Sequence, residues 1–138
     1  MQDPEIKFSH WTRWAKRTSL KGICSPGVYI LAHFDVASAG RASPQAEQIV
    51  YIGETCNNSL RGRWRQFNRS AFEGKSGHSG GRTYRQVFGG QGDNLYVTAF
   101  PVEGLDEEIR SLFIRYVERK LIWEFAQKWG TAPKCNRK

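Results

Sequence analysis

The chain has 138 residues, a length that suits one domain built around one hydrophobic core. Hydrophobic residues make up 39% of the chain and aromatic residues 13%, which excludes a globally disordered protein. The formal net charge of +8 favours a polyanionic partner, because phosphates bound by basic side chains release condensed counterions. Basic surfaces also occur on proteins that bind no nucleic acid, so the charge alone does not decide the function.

The cysteines and the first residues indicate the compartment. Cys24, Cys56 and Cys135 are odd in number and lack CxxC spacing, so the sequence predicts neither a disulfide framework nor a structural zinc site. We find no apolar run long enough to span a bilayer, and the polar start does not resemble a signal peptide. We therefore expect a cytoplasmic protein that does not associate with membranes.

The first predicted element is a helix over residues 8–18, within an N-terminal extension of residues 1–25. Ser9 can cap this helix. Trp11 and Trp14 are three residues apart, a spacing that would place both side chains on one helix face. We expect this face to cover the core with its tryptophans.

Two strands are predicted next, over residues 27–34 and 48–54. Both segments are rich in β-branched and aromatic residues and apolar on both faces, which is typical of strands inside a sheet. Residues 35–47 between them are rich in Ala, Ser and Gly, and they favour a long loop. The two strands should therefore form an antiparallel hairpin with an extended tip.

A basic helix is predicted over Leu60–Phe72, where apolar residues recur at helical spacing. Trp64 and Phe67 belong to this apolar face, and we expect them in the core rather than stacked on bases. Guanidinium groups match phosphate oxygens bidentately, so the arginines favour contact with a nucleic-acid backbone. The candidate nucleic-acid-binding residues of this helix and the segment after it are Arg61, Arg65, Arg69, Lys75, Arg82 and Arg85.

Three further elements complete the chain. Residues 74–81 are predicted as a Gly/Ser loop that carries His78, residues 94–100 as a third strand, and residues 106–128 as a long helix. Acidic residues at the start of the long helix suit the positive end of its dipole. The predicted fold class is α+β, with a small three-stranded mixed or antiparallel sheet flanked by helices.

Glu118 is the most informative residue of the long helix. At about 100° per residue it shares an arc with apolar residues of the same helix. A carboxylate on an arc that faces the interior costs several kcal/mol unless a partner compensates it. Glu118 is therefore either a ligand or catalytic group, or a boundary glutamate paired with a basic neighbour.

Two tripeptides resemble the paired motif that names the GIY-YIG nucleases: Gly27-Val28-Tyr29 and Tyr51-Ile52-Gly53. The other residues of the family pattern follow in order, as an arginine after the second tripeptide, a glutamate in a late helix and a terminal asparagine. These residues are Arg63, Glu118 and Asn136. The resemblance covers residues 27–136 and implies a catalytic core of residues 26–138 in a single domain of residues 1–138.

The resemblance implies a divalent-metal-dependent endonuclease that hydrolyses phosphodiester bonds in DNA. We expect Glu118 to hold one Mg²⁺ or Mn²⁺ ion per active site, because a single carboxylate with several waters suits magnesium. Arg63 would neutralise charge in the transition state, and Tyr29 or Tyr51 would orient or deprotonate the attacking water. Asn136 would fix the site through its side-chain amide.

The chain departs from the family pattern at two points. The two tripeptides are further apart than is usual, which a longer hairpin tip accommodates at small cost. Phe67 lies where many members have Tyr or His, and it cannot transfer a proton. His78 lies where homing members carry a histidine, so it is either a proton shuttle or an ordinary loop histidine. Glu54 follows the second tripeptide, and the family pattern gives it no firm role.

Two alternatives stay open at the level of sequence. One is a catalytically weak or inactive nucleic-acid-binding module of the same fold, although binding alone would not require a buried glutamate. The other is a nuclease acting on RNA, because the core chemistry does not distinguish the sugars. The chain ends shortly after Asn136, so we expect no separate recognition domain, and the sequence predicts neither specificity nor oligomeric state.

Overall fold

The structure is a computed structural model that describes residues 3–35 and 41–137, so part of the predicted loop 35–47, residues 36–40, lies outside the described residues. Within them the chain forms an α+β fold, a four-stranded antiparallel sheet flanked by helices. The strands are β1 (Thr12–Arg13), β2 (Gly27–His33), β3 (Ile49–Thr55) and β4 (Leu95–Pro101), in the order β1-β4-β2-β3. The helices are a 3₁₀ helix (Trp14–Ser19), α1 (Leu60–Phe72), α2 (Ser79–Phe88) and α3 (Glu107–Trp129).

The sheet separates two hydrophobic clusters. Successive side chains of a strand point to opposite faces, so Val28 and Ile30 of β2 pack with α3, whereas Tyr29 and Leu31 pack with α1 and α2. β2 pairs with β3 on one side and β4 on the other, and its apolar residues are buried on both faces as predicted. The predicted β2–β3 hairpin is confirmed, with strand bounds shifted by one residue.

The predicted helix over residues 8–18 was wrong in its first half, and its second half forms a 3₁₀ helix, Trp14–Ser19, instead of an α-helix. Thr12–Arg13 pair with β4 as a fourth strand, where the sequence predicted three strands in all. Trp11 packs into the cluster on the α3 side, whereas Trp14 packs into the cluster on the α1 side. The three-residue spacing of the tryptophans thus comes from a segment that reaches both faces of the sheet. The backbone N–H of Ser9 donates to a β4 carbonyl at 3.0 Å, which holds this segment extended.

Helix α2 was not predicted, since residues 74–81 were expected to form a loop. The helix begins directly after His78, whose Nδ1 accepts a hydrogen bond from Gly81 N–H at 3.1 Å. Glycines in the first turn lower intrinsic helix propensity, and they hid the helix in the sequence. Packing requires them, because a Cβ on Gly81 would lie 2.8 Å from Ser70 Cβ of α1. Close contact between α1 and α2 therefore outweighs propensity.

The other helices agree with the sequence. Helix α1 has the predicted bounds, Ser59 Oγ accepts a backbone N–H of its first turn at 2.9 Å, and Trp64 and Phe67 are fully buried. Helix α3 begins and ends one residue later than predicted, and Gly130 ends it with φ 85°. Among the helices described, none combines the length and apolar character needed to cross a membrane.

Candidate functional site

A cleft of about 250 Å³ opens beside β3, the last strand in the sheet order. Its walls come from β3, from all three α-helices and from residues 132–137. Four of the six predicted catalytic residues line it: Tyr51, Arg63, Glu118 and Asn136. The other two, Tyr29 and His78, are buried next to Tyr51, with ring centroids 6.0 Å and 5.8 Å from its ring. The fold therefore brings all six residues together: four line the cleft, and the other two are buried behind Tyr51.

Tyr51 forms the aromatic part of the cleft wall. Burial, followed by the negative charge of Glu118, raises the pKa of Tyr51 to about 12, and the positive charge of Arg63 only partly opposes this rise. With these charges alone the phenol keeps its proton at neutral pH. Tyr51 can thus orient a water molecule by hydrogen bonding, and it becomes a base only when the charge in the cleft becomes more positive.

Tyr29 and His78 form a buried pair behind Tyr51. Tyr29 Oη lies 2.8 Å from His78 Nε2. Burial, followed by the positive charge of Arg63, lowers the pKa of His78 to about 3, so the imidazole is neutral. Because His78 Nδ1 accepts the N–H of Gly81, the single ring proton is assigned to Nε2, which donates to Tyr29 Oη.

The hydroxyl proton of Tyr29 is then available for Tyr51. Burial raises the pKa of Tyr29 well above its ordinary value, and a hydrogen bond with Tyr51 raises it further, while the same bond lowers the pKa of Tyr51. Because Tyr29 Oη accepts the Nε2 proton of His78, its own proton can be donated to the Tyr51 oxygen. The hydrogen bonds therefore run from Gly81 through His78 and Tyr29 to the Tyr51 oxygen, and they leave the proton of Tyr51 for a group in the cleft.

Two glycines make room for the tyrosines. A Cβ on Gly53 would lie 2.7 Å from Tyr29 Oη and 2.5 Å from the Tyr51 ring, and a Cβ on Gly80 would lie 2.5 Å from Tyr51 Cζ. A glycine inside a strand often marks such a close approach, which accounts for the third position of the second tripeptide. The role of Gly80 was not predicted, because α2 itself was not predicted.

Arg63 and Glu118 reach the cleft from helices on opposite faces of the sheet. Arg63 Nη1 donates to Gln66 Oε1 at 2.7 Å, which holds the guanidinium beside Tyr51. The side chain of Glu118 is 18% exposed, and its Oε1 lies 3.8 Å from Arg119 Nε. The predicted apolar arc around Glu118 is confirmed, since the neighbouring residues Ile114, Leu121 and Phe125 are buried.

A second carboxylate, Glu54, lies in the same cleft at the end of β3. Its Oε2 accepts a hydrogen bond from Cys56 Sγ at 2.8 Å. Within residues 3–35 and 41–137, no group of three or more His, Cys, Asp and Glu side chains could hold a metal ion. Magnesium keeps several waters and needs only one or two carboxylates, so Glu118 with water fits a hydrated divalent ion.

Asn136 attaches the C-terminal segment to β3. Its Oδ1 accepts the N–H of Ile52 at 2.9 Å, and its Nδ2 donates to the carbonyl of Ile52 at 2.8 Å. The N–H of Cys135 donates to the carbonyl of Val50 at 2.9 Å. These bonds hold residues 132–137 along β3, where they form the wall of the cleft next to Tyr51.

The six basic residues predicted to bind nucleic acid are all exposed. Three of them lie on α1, the helix that also carries Arg63: Arg61, Arg65 and Arg69. The other three line a shallow depression of about 310 Å³ between α1 and α2: Lys75, Arg82 and Arg85. Arg85 Nη1 donates to a backbone carbonyl of α1 at 3.3 Å, and Lys75 Nζ lies 3.7 Å from Glu73 Oε1.

Sequence reasoning missed several polar residues of the cleft, namely Ser79, Arg115, Arg119 and Arg137. Arg115 and Arg119 lie one turn apart on α3 and flank Glu118, so the helical spacing contained a signal for both. Ser79 depends on α2, and Arg137 depends on the attachment of the C-terminal segment to β3. Three more positive charges in the cleft strengthen its preference for an anion.

The chain was also compared with known proteins. It matches no protein-family model, and no match was found among curated proteins or solved structures. The functional interpretation therefore depends on the geometry of the cleft and on the order of the motif residues.

Proposed function

We propose that the protein is a divalent-metal-dependent endonuclease of the GIY-YIG type that hydrolyses phosphodiester bonds in DNA. The observation that carries the proposal is the convergence of Tyr51, Arg63 and Glu118 in one cleft. These side chains come from three elements, β3, α1 and α3, and α3 is far from the other two in the sequence. The same residues complete the ordered pattern that resembles the family.

Phosphodiester hydrolysis needs an oriented nucleophile, positive charge at the phosphoryl oxygens and assistance for the leaving oxygen. Tyr51 would orient the attacking water through its hydroxyl, which the Tyr29–His78 pair holds in place. Arg63, held by Gln66, would donate to the phosphoryl oxygens as negative charge develops there. Glu118 would hold one Mg²⁺ or Mn²⁺ ion, which supplies positive charge at the phosphate and the leaving oxygen.

Tyr51 is the better candidate of the two motif tyrosines for contact with the nucleophile, because it lines the cleft and Tyr29 is fully buried. The charge of Glu118 is the largest electrostatic contribution to the raised pKa of Tyr51. Neutralising that carboxylate would lower the pKa and bring phenolate formation closer to neutral pH. His78 is a positioning residue in this mechanism, since it acts on the cleft through Tyr29.

The basic surface supports a nucleic-acid substrate. Exposed arginines of α1 continue from Arg63 along the same helix, and the basic depression between α1 and α2 extends the positive surface. Guanidinium groups on this surface suit the phosphates of a backbone. The residues of the cleft serve DNA and RNA alike, so the test of function includes both.

A plasmid-nicking assay with magnesium tests the proposal. Wild-type protein should convert supercoiled plasmid to nicked circles, and EDTA should abolish the reaction. Glu118→Gln keeps size and hydrogen bonding but removes the charge, so cleavage should fall at least about a hundredfold with DNA binding kept in a mobility-shift assay. Glu124→Gln is the matched control on α3, because that carboxylate pairs with Lys120 at 2.8 Å and lies outside the cleft lining.

Three outcomes would contradict the proposal in different ways. Normal cleavage by folded Glu118→Gln protein would remove Glu118 from the site. Tight DNA binding without cleavage under any divalent metal would leave a nucleic-acid-binding module of this fold. Cleavage of structured RNA without nicking of plasmid would assign the activity to RNA.

A further inference from the structure

A second concavity of about 270 Å³, here named the side pocket, adjoins the candidate cleft at the turn between β3 and α1. Three residues line both spaces: Glu54, Arg63 and Arg115. The remaining walls of the side pocket are Thr55, Cys56, Asn57, Asn58 and Gln66. A ligand that contacts Arg63 in the cleft can therefore extend directly into the side pocket.

Several hydrogen-bond donors line the side pocket. Asn57 is exposed, and its side-chain amide forms no hydrogen bond with the described residues. Gln66 Oε1 accepts a hydrogen bond from the guanidinium of Arg63 at 2.7 Å, so the Nε2 group of Gln66 remains a donor. Arg115 is exposed on α3 and adds a guanidinium. Amides and guanidinium groups are the side-chain types that recognise acceptors on the edges of bases.

The side pocket also contains a strong acceptor, the carboxylate of Glu54. Cys56 Sγ donates to Glu54 Oε2 at 2.8 Å, which leaves Oε1 to accept a hydrogen bond from a ligand. When the scissile phosphate engages Arg63, the charges of Arg115 and Glu54 balance, so the side pocket offers no net positive charge to a second phosphate. A carboxylate suits the amino group of a base instead. Donors and an acceptor together therefore favour a neutral nucleobase over an anion.

The position of Arg63 relates the side pocket to the cut. Its side chain borders both spaces, and the proposed function places it at the scissile phosphate. Successive nucleotides of a duplex strand rise by only about 3.4 Å along the helix axis. A base that enters the side pocket while Arg63 contacts the scissile phosphate therefore belongs to a nucleotide next to the cut.

We propose that the side pocket reads the edge of one base next to the scissile phosphate, so that cleavage has a preference at a single nucleotide position. This inference rests on the proposed function, which supplies the position of the scissile phosphate. The specificity-determining residues are Asn57, Arg115 and Glu54, through their amide, guanidinium and carboxylate groups. The exposed arginines of α1 contact phosphates and position the strand without regard to its sequence.

Cleavage of a duplex pool with a randomised segment tests the side pocket, with Mg²⁺ present and the cut ends sequenced. Wild-type protein should prefer one or two bases by about fivefold or more at a position within one nucleotide of the cut. Asn57→Ala and Arg115→Ala should each reduce this preference to less than about twofold, because each removes a contact to the base edge. Gln127→Ala changes an exposed amide of α3 that lines neither space, so this matched control should keep the preference.

Two further variants separate base reading from backbone contact. Arg65 is exposed on α1 and lines neither space, so Arg65→Ala should lower affinity equally for every sequence. Glu54→Gln replaces an acceptor with an amide that also donates, so it should change which base is preferred. A change in the identity of the preferred base is a result that a purely structural role of Glu54 would not produce.

Selection of bound duplexes from the same pool in EDTA repeats the measurement without cleavage. An enriched base that Asn57→Ala removes would support the side pocket even if Mg²⁺ gave no cleavage, a result that would count against the proposed function alone. Absence of any enriched base in both experiments would overturn the inference, as would a preference that Asn57→Ala and Arg115→Ala leave unchanged. An equal loss of affinity for all sequences in these two variants would make the side pocket a second phosphate site instead.

Discussion

The Tyr29 hydroxyl lies 2.8 Å from Nε2 of His78 in a fully buried position, whereas Tyr51, whose ring packs against both, lines the cleft. The two motif tyrosines therefore have unequal environments in spite of their equal place in the sequence motif. Under the proposed mechanism, Tyr51 contacts the nucleophile and Tyr29 supports Tyr51.

This difference predicts distinct effects of removing each hydroxyl. Tyr51→Phe should lower single-turnover cleavage at least about a hundredfold, and it should also cost about 1–3 kcal/mol of stability because the buried Tyr29 hydroxyl loses its acceptor. Tyr29→Phe leaves the Nε2 proton of His78 buried without an acceptor, so it should cost about 1–3 kcal/mol of stability and less activity than Tyr51→Phe. Cleavage rates and urea unfolding of both variants provide the check. A stable Tyr29→Phe protein with no turnover would reverse the two roles.

Alanine variants of the arginines should differ in whether they lower kcat or DNA affinity. Arg63 lies in the cleft, so Arg63→Ala should mainly lower kcat, because a contact that strengthens in the transition state sets the rate of a saturated enzyme. Arg69 and Arg85 are exposed outside that cleft, so their alanine variants should mainly weaken DNA affinity, about threefold to thirtyfold each. Steady-state cleavage and binding titrations measure both quantities. Equal kcat in all three variants would make Arg63 another phosphate contact.

Gly80 offers a test of the space around Tyr51. Gly80→Ala places a Cβ 2.5 Å from Tyr51 Cζ, so the ring must move, and we expect at least about a tenfold loss of cleavage with DNA affinity kept. Gly104→Ala is the control, because Gly104 has φ 82° with open space around a Cβ. It should cost about 1 kcal/mol of backbone strain and leave cleavage unchanged. A Gly80→Ala enzyme with normal turnover would show that the Tyr51 position is not critical.

The buried imidazole predicts a pH dependence of stability. Because the pKa of His78 falls from 6.5 to about 3 on folding, the unfolded chain binds more protons between these values, and stability rises with pH there. The contribution is complete above about pH 6.5 and is lost as the pH falls, by up to about 4 kcal/mol near pH 3.5. Urea unfolding at a series of pH values across this range should therefore show that the free energy of unfolding rises less steeply with pH for His78→Gln than for wild type.

Exposed His10 supplies the control for that measurement, since His10→Gln should keep the wild-type slope. His33, whose pKa burial also lowers, is unchanged in both variants and cancels in the comparison. If the free energy of unfolding changes equally steeply with pH in His78→Gln and in wild type, His78 takes up a proton in the folded protein.

Local sequence patterns predicted the elements that bury a face with a simple strand or helix period. The strands of the β2–β3 hairpin and the long helix α3 each bury a face of simple periodicity, and the apolar arc around Glu118 followed from that period alone. The sequence did not predict β1 or α2, because their conformations depend on distant contacts. β1 is held by pairing with β4, and α2 tolerates its glycines because α1 and Tyr51 occupy the space beside them.

The candidate site divides in the same way. Residue type and order identified Tyr51, Arg63 and Glu118, which line the cleft. The buried position of His78 could not be derived from the sequence, because it follows from the start of a helix that the sequence did not indicate. The arginines of α3 that flank Glu118 could have been predicted from helical spacing, and so could an anion site beside Glu118.

The bonds of Asn136 to Ile52 have a consequence beyond the cleft. A strand with unpaired backbone groups at the side of a sheet is a template on which another chain can add a strand and begin aggregation. Asn136 occupies both the N–H and the carbonyl of Ile52, and the N–H of Cys135 occupies the carbonyl of Val50. The segment that forms a wall of the cleft therefore also shields β3 from other chains, so losing its attachment would endanger solubility as well as cleavage.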